Sequence, residues 1–299
     1  MTKAPLIAGL ELGGTKCICI LARGPDDIVA ERRISTTTPD ETLSAIEATF
    51  AEWGEFAALG IASFGPISLD RQAADYGFIT ATPKPGWRQT DIARRLGKRF
   101  GRPTGFHTDV TGAALGEGRW GAARGLGDFA YVTVGTGVGV GMIAHGAPVD
   151  GMTHAELGHI RPVRRDGDDW PGHCSFHGAC VEGLISGPAI AARLGRPAPD
   201  LAPEDPAWDE VVHTLAQLLH TLTLTGVPRR IVVGGGVMTG NQHLFPRLRD
   251  ALGESLAGYI ETPELANLDN YVVPAALGAN AGPLGAIVLG MMALADTRR

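Results

Sequence analysis

With 299 residues, 44% of them hydrophobic and 19% charged, the chain has globular composition and length enough for two domains with their own cores, which excludes a disordered chain. A net charge of −6 and the lack of any long basic run exclude a general nucleic-acid binder, which relies on neutralising phosphates. No run reaches the roughly 18–20 consecutive apolar residues of a membrane span, and the opening Met1-Thr-Lys-Ala-Pro5 carries no signal-peptide pattern.

The first elements read as strand, glycine turn, strand: residues 6–12, then Gly13-Gly14-Thr15-Lys16, then 17–22. Cys17 and Cys19 share one face of that second strand and read as small core residues. Pro39-Asp40 opens a helix on which Leu43, Ile46, Phe50 and Trp53 keep a helical period. Residues 59–64 form a strand running into Gly65-Pro66, and 104–107 another running into Thr108-Asp109. A second strand–turn–strand follows, 129–134, Gly135-Thr136-Gly137 and 138–143, so one hairpin design occurs twice and suggests a duplicated domain. A buried strand at 230–233 meets Gly234-Gly235-Gly236. Residues 281–290 begin a helix that could pack back on the first domain, and the high glycine content, 42 residues, is read as many close-approach turns.

Phosphate needs backbone N–H groups that can come close, and glycine permits this because no Cβ intervenes. Glu11-Leu-Gly13-Gly14-Thr15-Lys16 offers two glycines, a hydroxyl and a cation in one turn. It is neither a Walker A loop nor a Rossmann fingerprint, since the spacing differs and no helix follows. Alone it reads first as a plain hairpin, which a Gly-Gly turn between strands more often is. Three glycine turns at three strand ends point instead to phosphate.

His154-Ala-Glu156-Leu-Gly-His159 precedes His173-Cys174-Ser-Phe-His177-Gly-Ala-Cys180-Val-Glu182. Zinc favours four tetrahedral N/S donors, and His159, Cys174, His177 and Cys180 make a Cys₂His₂ set; His173 is left over. Such cysteines, like the core pair, suit a reducing compartment. A zinc-dependent hydrolase or nucleobase deaminase is the rival reading, because those enzymes also pair a His-x-Glu with downstream cysteines. It fits less well: Pro171 does not abut Cys174, a His interrupts the Cys pair, and four donors leave no open position for water. Asp109 at a strand end suits a general base, being ionised at neutral pH, but taken alone it reads first as the cap of the next helix.

Together these residues resemble the ROK family, which joins repressors and sugar kinases on an actin-like, hexokinase-like ATPase fold. The resemblance covers nearly the whole chain. The turn after Glu11 is similar to the family's first phosphate loop, Val134-Gly-Thr-Gly-Val-Gly139 to its second, and Val233-Gly-Gly-Gly-Val-Met238 to its adenosine segment. Glu156-Leu-Gly-His159, the run 174–182 and Ser186-Gly-Pro188 resemble its zinc and sugar signature. Glu at position 11, the run Thr82-Pro-Lys-Pro-Gly-Trp87 and the Cys-x-x-His-x-x-Cys spacing resemble its bacterial fructokinase branch. Thr108 and Thr111 depart from the Asn of glucose-type members, which speaks against a glucose preference.

The resemblance implies an α/β, two-lobed actin-like/hexokinase-like ATPase fold, a duplicated ribonuclease H-like domain with a zinc-binding segment. Residues 1–116 with 282–299 would form the N-terminal lobe, carrying the first phosphate loop and the catalytic Asp. Residues 117–281 would form the C-terminal lobe, with ATP and sugar meeting in a closing cleft. The implied reaction is phosphorylation of D-fructose by Mg·ATP to fructose 6-phosphate, with mannose, glucose or an N-acetylhexosamine as alternative acceptors. Asp109 is implied as general base, and Gly65, Thr108, Asp109, Glu156, His159 and Glu182 as sugar partners. ATP would be held by Gly13, Gly14, Thr15, Lys16, Gly135, Thr136, Gly137, Pro188, Gly234, Gly235 and Gly236. Mg²⁺ would accompany ATP, and a structural Zn²⁺ would lie on His159, Cys174, His177 and Cys180. The prolines at 83 and 85 would present Lys84 and Trp87 to the sugar. A cytoplasmic homodimer is implied, without nucleic-acid or membrane partners. A sugar-responsive repressor would need a helix-turn-helix ahead of the first phosphate loop, and here that loop begins at residue 11.

Overall fold

Apolar runs bounded by glycine dictate the first sheet. In the computed structural model, which describes residues 4–297, β1 (Ile7–Leu12), β2 (Lys16–Gly24) and β3 (Asp27–Ser35) form an antiparallel meander. Residues 1–3, read for a leader, and 298–299, assigned to the first lobe, lie outside the described residues. Helix α1 (Pro39–Trp53) starts where Thr38 accepts the Glu41 N–H, with Pro39 and two acidic residues in its first turn, and buries Leu43, Ile46 and Phe50. Next come β4 (Ala58–Ser63), the short pair β5 (Phe78–Ile79) and β6 (Thr90–Asp91), α2 (Ala93–Phe100), β7 (Thr104–Thr108) and α3 (Asp109–Trp120). The sheet order is β3-β2-β1-β4-β7, with β4 parallel to β1 and β7 parallel to β4.

This first unit comprises the described parts of Met1–Trp120, Val149–His154 and Ala279–Arg299. Its C-terminal helix, Ala281–Asp296, is buried at every residue from Ala281 to Gly290 and packs on β1, β4, β7 and α3. Together with the turn before it, the stretch Gly278–Asp296 is long and apolar enough to cross a membrane by composition, and here it is mostly buried as a core helix. Glycine sets the packing distance: a Cβ at Gly60 would overlap Ala286 O, and one at Gly285 would overlap Gly112 O. Strand, helix and helix therefore touch backbone to backbone.

The second unit, Gly121–Pro148 with Ala155–Gly278, repeats the pattern. Strands β8 (Phe129–Val134), β9 (Val138–Ala144) and β10 (Ala147–Pro148) are antiparallel. The chain continues through α4 (Val181–Ile185), α5 (Gly187–Leu194), α6 (Trp208–Gly226), β11 (Ile231–Gly234), α7 (Gly236–Thr239), α8 (Leu244–Leu256), α9 (Leu268–Tyr271) and β12 (Val272–Pro274). The order β10-β9-β8-β11-β12 matches the first sheet strand for strand, with β11 parallel to both β8 and β12. Its core is filled by side chains: Trp208, Leu215, Leu218, Leu219, Leu222, Leu248 and Leu252.

Candidate active site

In the first unit the β1–β2 turn leaves Gly14, Thr15 and Lys16 exposed at the end of two buried strands. Gly13 N–H donates to Lys16 O (3.1 Å), and a Cβ on Gly13 would come within 2.7 Å of that same oxygen. Thr36 Oγ1 fastens the turn by donating to Gly13 O (2.8 Å). Glu11, on β1 two residues before Gly13, rests its carboxyl against Gly282 at the start of the C-terminal helix. Burial pushes Glu11 up to about 7; the charge of Asp109 adds to this and Lys16 opposes it.

Asp109 begins α3 where β7 ends. The helix cap is Thr108: its Oγ1 accepts the Thr111 N–H (3.2 Å) and donates to Thr111 Oγ1 (2.9 Å). The hydroxyl expected to meet sugar is thus occupied within the turn. Asp109 Oδ1 accepts the adjacent Val110 N–H (2.8 Å), and burial raises its carboxyl to about 6 against the backbone hydrogen bonds of Val110 and Asp109. Gly65 follows β4, and a Cβ there would come to 3.3 Å from the His154 ring, whose Nε2 accepts the Ile67 N–H (3.0 Å). His154 therefore belongs to this turn and not to the metal-type cluster.

The Thr82–Trp87 run departs from the expectation that it presents both side chains. Trp87 is fully buried, stacks edge-on against Phe64 and donates its indole N–H to Thr37 O (2.8 Å). Lys84 Nζ donates to Thr36 O (3.3 Å). An indole gains more from burial with its N–H satisfied than from exposure, so the loop braces the first glycine turn and Gly65 from behind.

In the second unit Gly135 N–H donates to Gly137 O (2.8 Å), closing the β8–β9 turn around Thr136. Gly187 N–H, at the start of α5, donates to Gly135 O (2.7 Å), and Ser186 caps that helix at Ala189 N–H, with Pro188 in its first turn. Gly235 at φ +86° turns the chain into α7, and Gly236 N lies 3.6 Å from where a Gly135 Cβ would stand. Two helix starts therefore flank the second glycine turn, while Gly234 packs against Tyr131. Glu182 Oε2 accepts the Val138 N–H (3.1 Å), and a Cβ on Gly137 would sit 2.7 Å from that oxygen.

His159, Cys174, His177 and Cys180 bring their donor atoms within 4.8 Å of one another. The His159 Nδ1 to Cys180 Sγ and Cys174 Sγ separations are 3.6 and 3.8 Å, and His177 Nδ1 to Cys174 Sγ is 3.8 Å. A tetrahedral zinc with ordinary Zn–S and Zn–N bonds needs S···N edges of about 3.5 Å, so the donors fit. A hydrogen-bonded loop joins Cys174 and Gly178 in both directions, and Cys180 caps α4. His159 Nε2 faces away from the cluster, 3.9 Å from Glu156 Oε2. Sequence reasoning had no signal for Glu182's bond to Val138 or for His107's bond to Asp150, because both are tertiary.

The sequence profile of the ROK family matches residues 7–292. The chain belongs to the ROK family. Among ROK relatives it is 42% identical to the fructokinase of Pediococcus pentosaceus, over 97% of this chain and 99% of that one. It is 40% identical to the fructokinase of Zymomonas mobilis, over 95% and 96%. A ROK glucokinase from Streptomyces griseus, solved with glucose and AMPPNP, superposes with a TM-score of 0.77 at 25% identity, over 96% of this chain and 99% of that one. The duplicated sugar-kinase fold that the family resemblance implies is the fold found.

Proposed function

We propose that the chain is an ATP-dependent fructokinase that phosphorylates D-fructose at its 6-hydroxyl, with Asp109 as general base. Full-length likeness to fructokinases supports the reaction. The observation that carries the base is the division of labour at the β7–α3 junction: Thr108 caps the helix, leaving Asp109's carboxyl for chemistry. The fructose 6-oxygen attacks the γ-phosphorus as its proton passes to Asp109, and the bond to the β–γ bridging oxygen breaks to release ADP.

Gly13, Gly14, Thr15 and Lys16 are the first phosphate loop in this reading, and Gly135, Thr136 and Gly137 the second, with Pro188 and Gly234, Gly235 and Gly236 bordering the nucleotide. Glu11 would serve a divalent cation in its ionised form, and a cation there would relieve the burial and the Asp109 charge that raise its pKa. Mg²⁺ bound with ATP would offset phosphate charge there. Gly65, Glu156, His159 and Glu182 are proposed sugar partners, and Thr108 supports Asp109. A structural zinc on His159, Cys174, His177 and Cys180 would fix His159 by Nδ1 and leave Nε2 toward Glu156 and the sugar. A hydrolytic zinc is disfavoured because four protein donors close the shell. A cytoplasmic homodimer is part of the same reading and rests on the family resemblance alone.

The test is an ADP-release assay with fructose, glucose, mannose and N-acetylated hexosamines. Fructose is expected to give the highest kcat/KM. Glucose matching it would remove fructose as the assigned acceptor and leave a hexose kinase.

A further inference from the structure

One buried side chain lies close to the β7–α3 turn without any part in the proposed chemistry. His107, buried at the end of β7, accepts the Thr108 N–H at Nδ1 (2.8 Å). Its Nε2 lies 2.8 Å from Asp150 Oδ1. Because Nδ1 receives a proton donor, the ring proton is on Nε2 and donates to Asp150; a carboxylate there selects this tautomer. The hydrogen bond to His107 in turn holds the Asp150 carboxyl below its usual range. Asp150 lies on the short segment Val149–His154, which is fastened to the same unit by Thr153 Oγ1 on Ile67 O (3.4 Å) and by His154 on Ile67 N–H.

We infer that Asp150 and His107 form an orienting dyad for the β7–α3 turn: Asp150 fixes the His107 tautomer, His107 holds the Thr108 N–H, and Thr108 caps α3 so that Asp109 faces its substrate. Both are positioning residues and neither touches the reacting atoms. The chain of bonds is continuous, from Asp150 Oδ1 through His107 Nε2–H and Nδ1 to Thr108 N–H, with Thr108 Oγ1 on Thr111 N–H. Were the proton on Nδ1, two N–H groups would point at each other and the turn would open. The inference rests on Asp109 being the base.

The experiment compares Asp150→Ala and Asp150→Asn. Asp150 is half-exposed, so both variants should fold, which thermal melting checks. Asn keeps an oxygen for the Nε2–H; Ala does not. The expected result is a kcat about tenfold lower in Asp150→Ala with KM for ATP unchanged, the usual scale for losing an orienting partner, and recovery to within about threefold in Asp150→Asn. In ¹⁵N-histidine-labelled protein the His107 signals, assigned by their loss in His107→Gln, should show the Nε2–H tautomer in wild type and Asp150→Asn and a mixture in Asp150→Ala. An unchanged tautomer in Asp150→Ala, or equal damage in Asp150→Asn and Asp150→Ala, overturns the dyad. Asp109→Asn run alongside separates the two ideas: near-normal turnover there removes the base, whereas the tautomer readout still judges the dyad.

Discussion

The two sheets share one strand order and solve the packing problem in opposite ways. In the first unit, glycines let the C-terminal helix press its backbone on β4 and α3: Gly60 on Ala286, Gly285 on Gly112. In the second, α6 and α8 are held off their sheet by Leu, Val and Trp side chains. A duplicated connectivity therefore does not carry its packing with it. Close approach in the first unit brings the start of a helix against Glu11, beside the first glycine turn; in the second the Cys/His cluster is carried by the stretch between β10 and α4. The first unit should be sensitive to added atoms, the second to removed ones.

The largest expected effect is on the second unit's cluster. Purified protein should contain about one zinc per chain, and structural zinc sites contribute on the order of 10 kcal/mol to folding. Chelation or Cys174→Ser should raise hydrogen exchange across residues 159–182 and weaken fructose binding. ATP affinity should fall less, through Glu182's bond to Val138 N–H. Metal analysis well under half an equivalent would remove the site.

A matched pair of substitutions tests the packing contrast directly. Gly60→Ala adds one methyl where Ala286 O already sits, and should cost about 3 kcal/mol or more, since backbone cannot rotate away. Leu218→Ala, fully buried on α6, removes methyls and should cost about 2–5 kcal/mol. The reverse logic also holds: an exposed glycine with open space, such as Gly14, should accept Ala with little loss of stability. Denaturant unfolding measures all three; a tolerated Gly60→Ala would mean that the helix is not in backbone contact with β4.

Much of this was legible because periodicity and glycine turns are local signals. Both hairpins, α1 with Leu43, Ile46 and Phe50, and the four clustered donors follow from spacing in the chain. β3 was not anticipated: as an edge strand it follows exposed Ile28 and Val29 with the charged run Glu31-Arg32-Arg33, shows no alternation of apolar and polar residues and buries little. The glycine count was read as turns, yet Gly60, Gly105 and Gly285 lie inside strands and a helix, where only the tertiary neighbour explains them. Asp109 was the residue read as a possible cap, and the structure gives that place to Thr108, one residue earlier. Trp87 shows the same limit: a stiff proline loop can brace a core as readily as it can display a ring.

Titration should separate the units most finely. Asp109 and Glu11 have folded pKa values of about 6 and about 7, raised chiefly by burial. For acids raised this way the fold favours the protonated form. Their stabilising contribution is complete below the unfolded value near 4 and is lost as pH rises through 6 and 7. In the second unit burial also pushes Asp168 up, but hydrogen bonds from Arg164, Arg193 and Trp170 N–H outweigh it and hold the carboxyl at about 2. That contribution is present above the unfolded value and lost as pH falls through 2. Activity should run against the first unit's stability: kcat/KM for fructose should fall below pH 6 as Asp109 takes up its proton, approaching about tenfold per pH unit, the limit for one group. Asp109→Asn should lower turnover by at least about 10²-fold and remove one acid from the alkaline destabilisation, so that its melting temperature changes less between pH 5.5 and 8 than that of wild type. A rate that stays flat down to pH 5 would show that Asp109 does not accept the proton, whatever its stability profile.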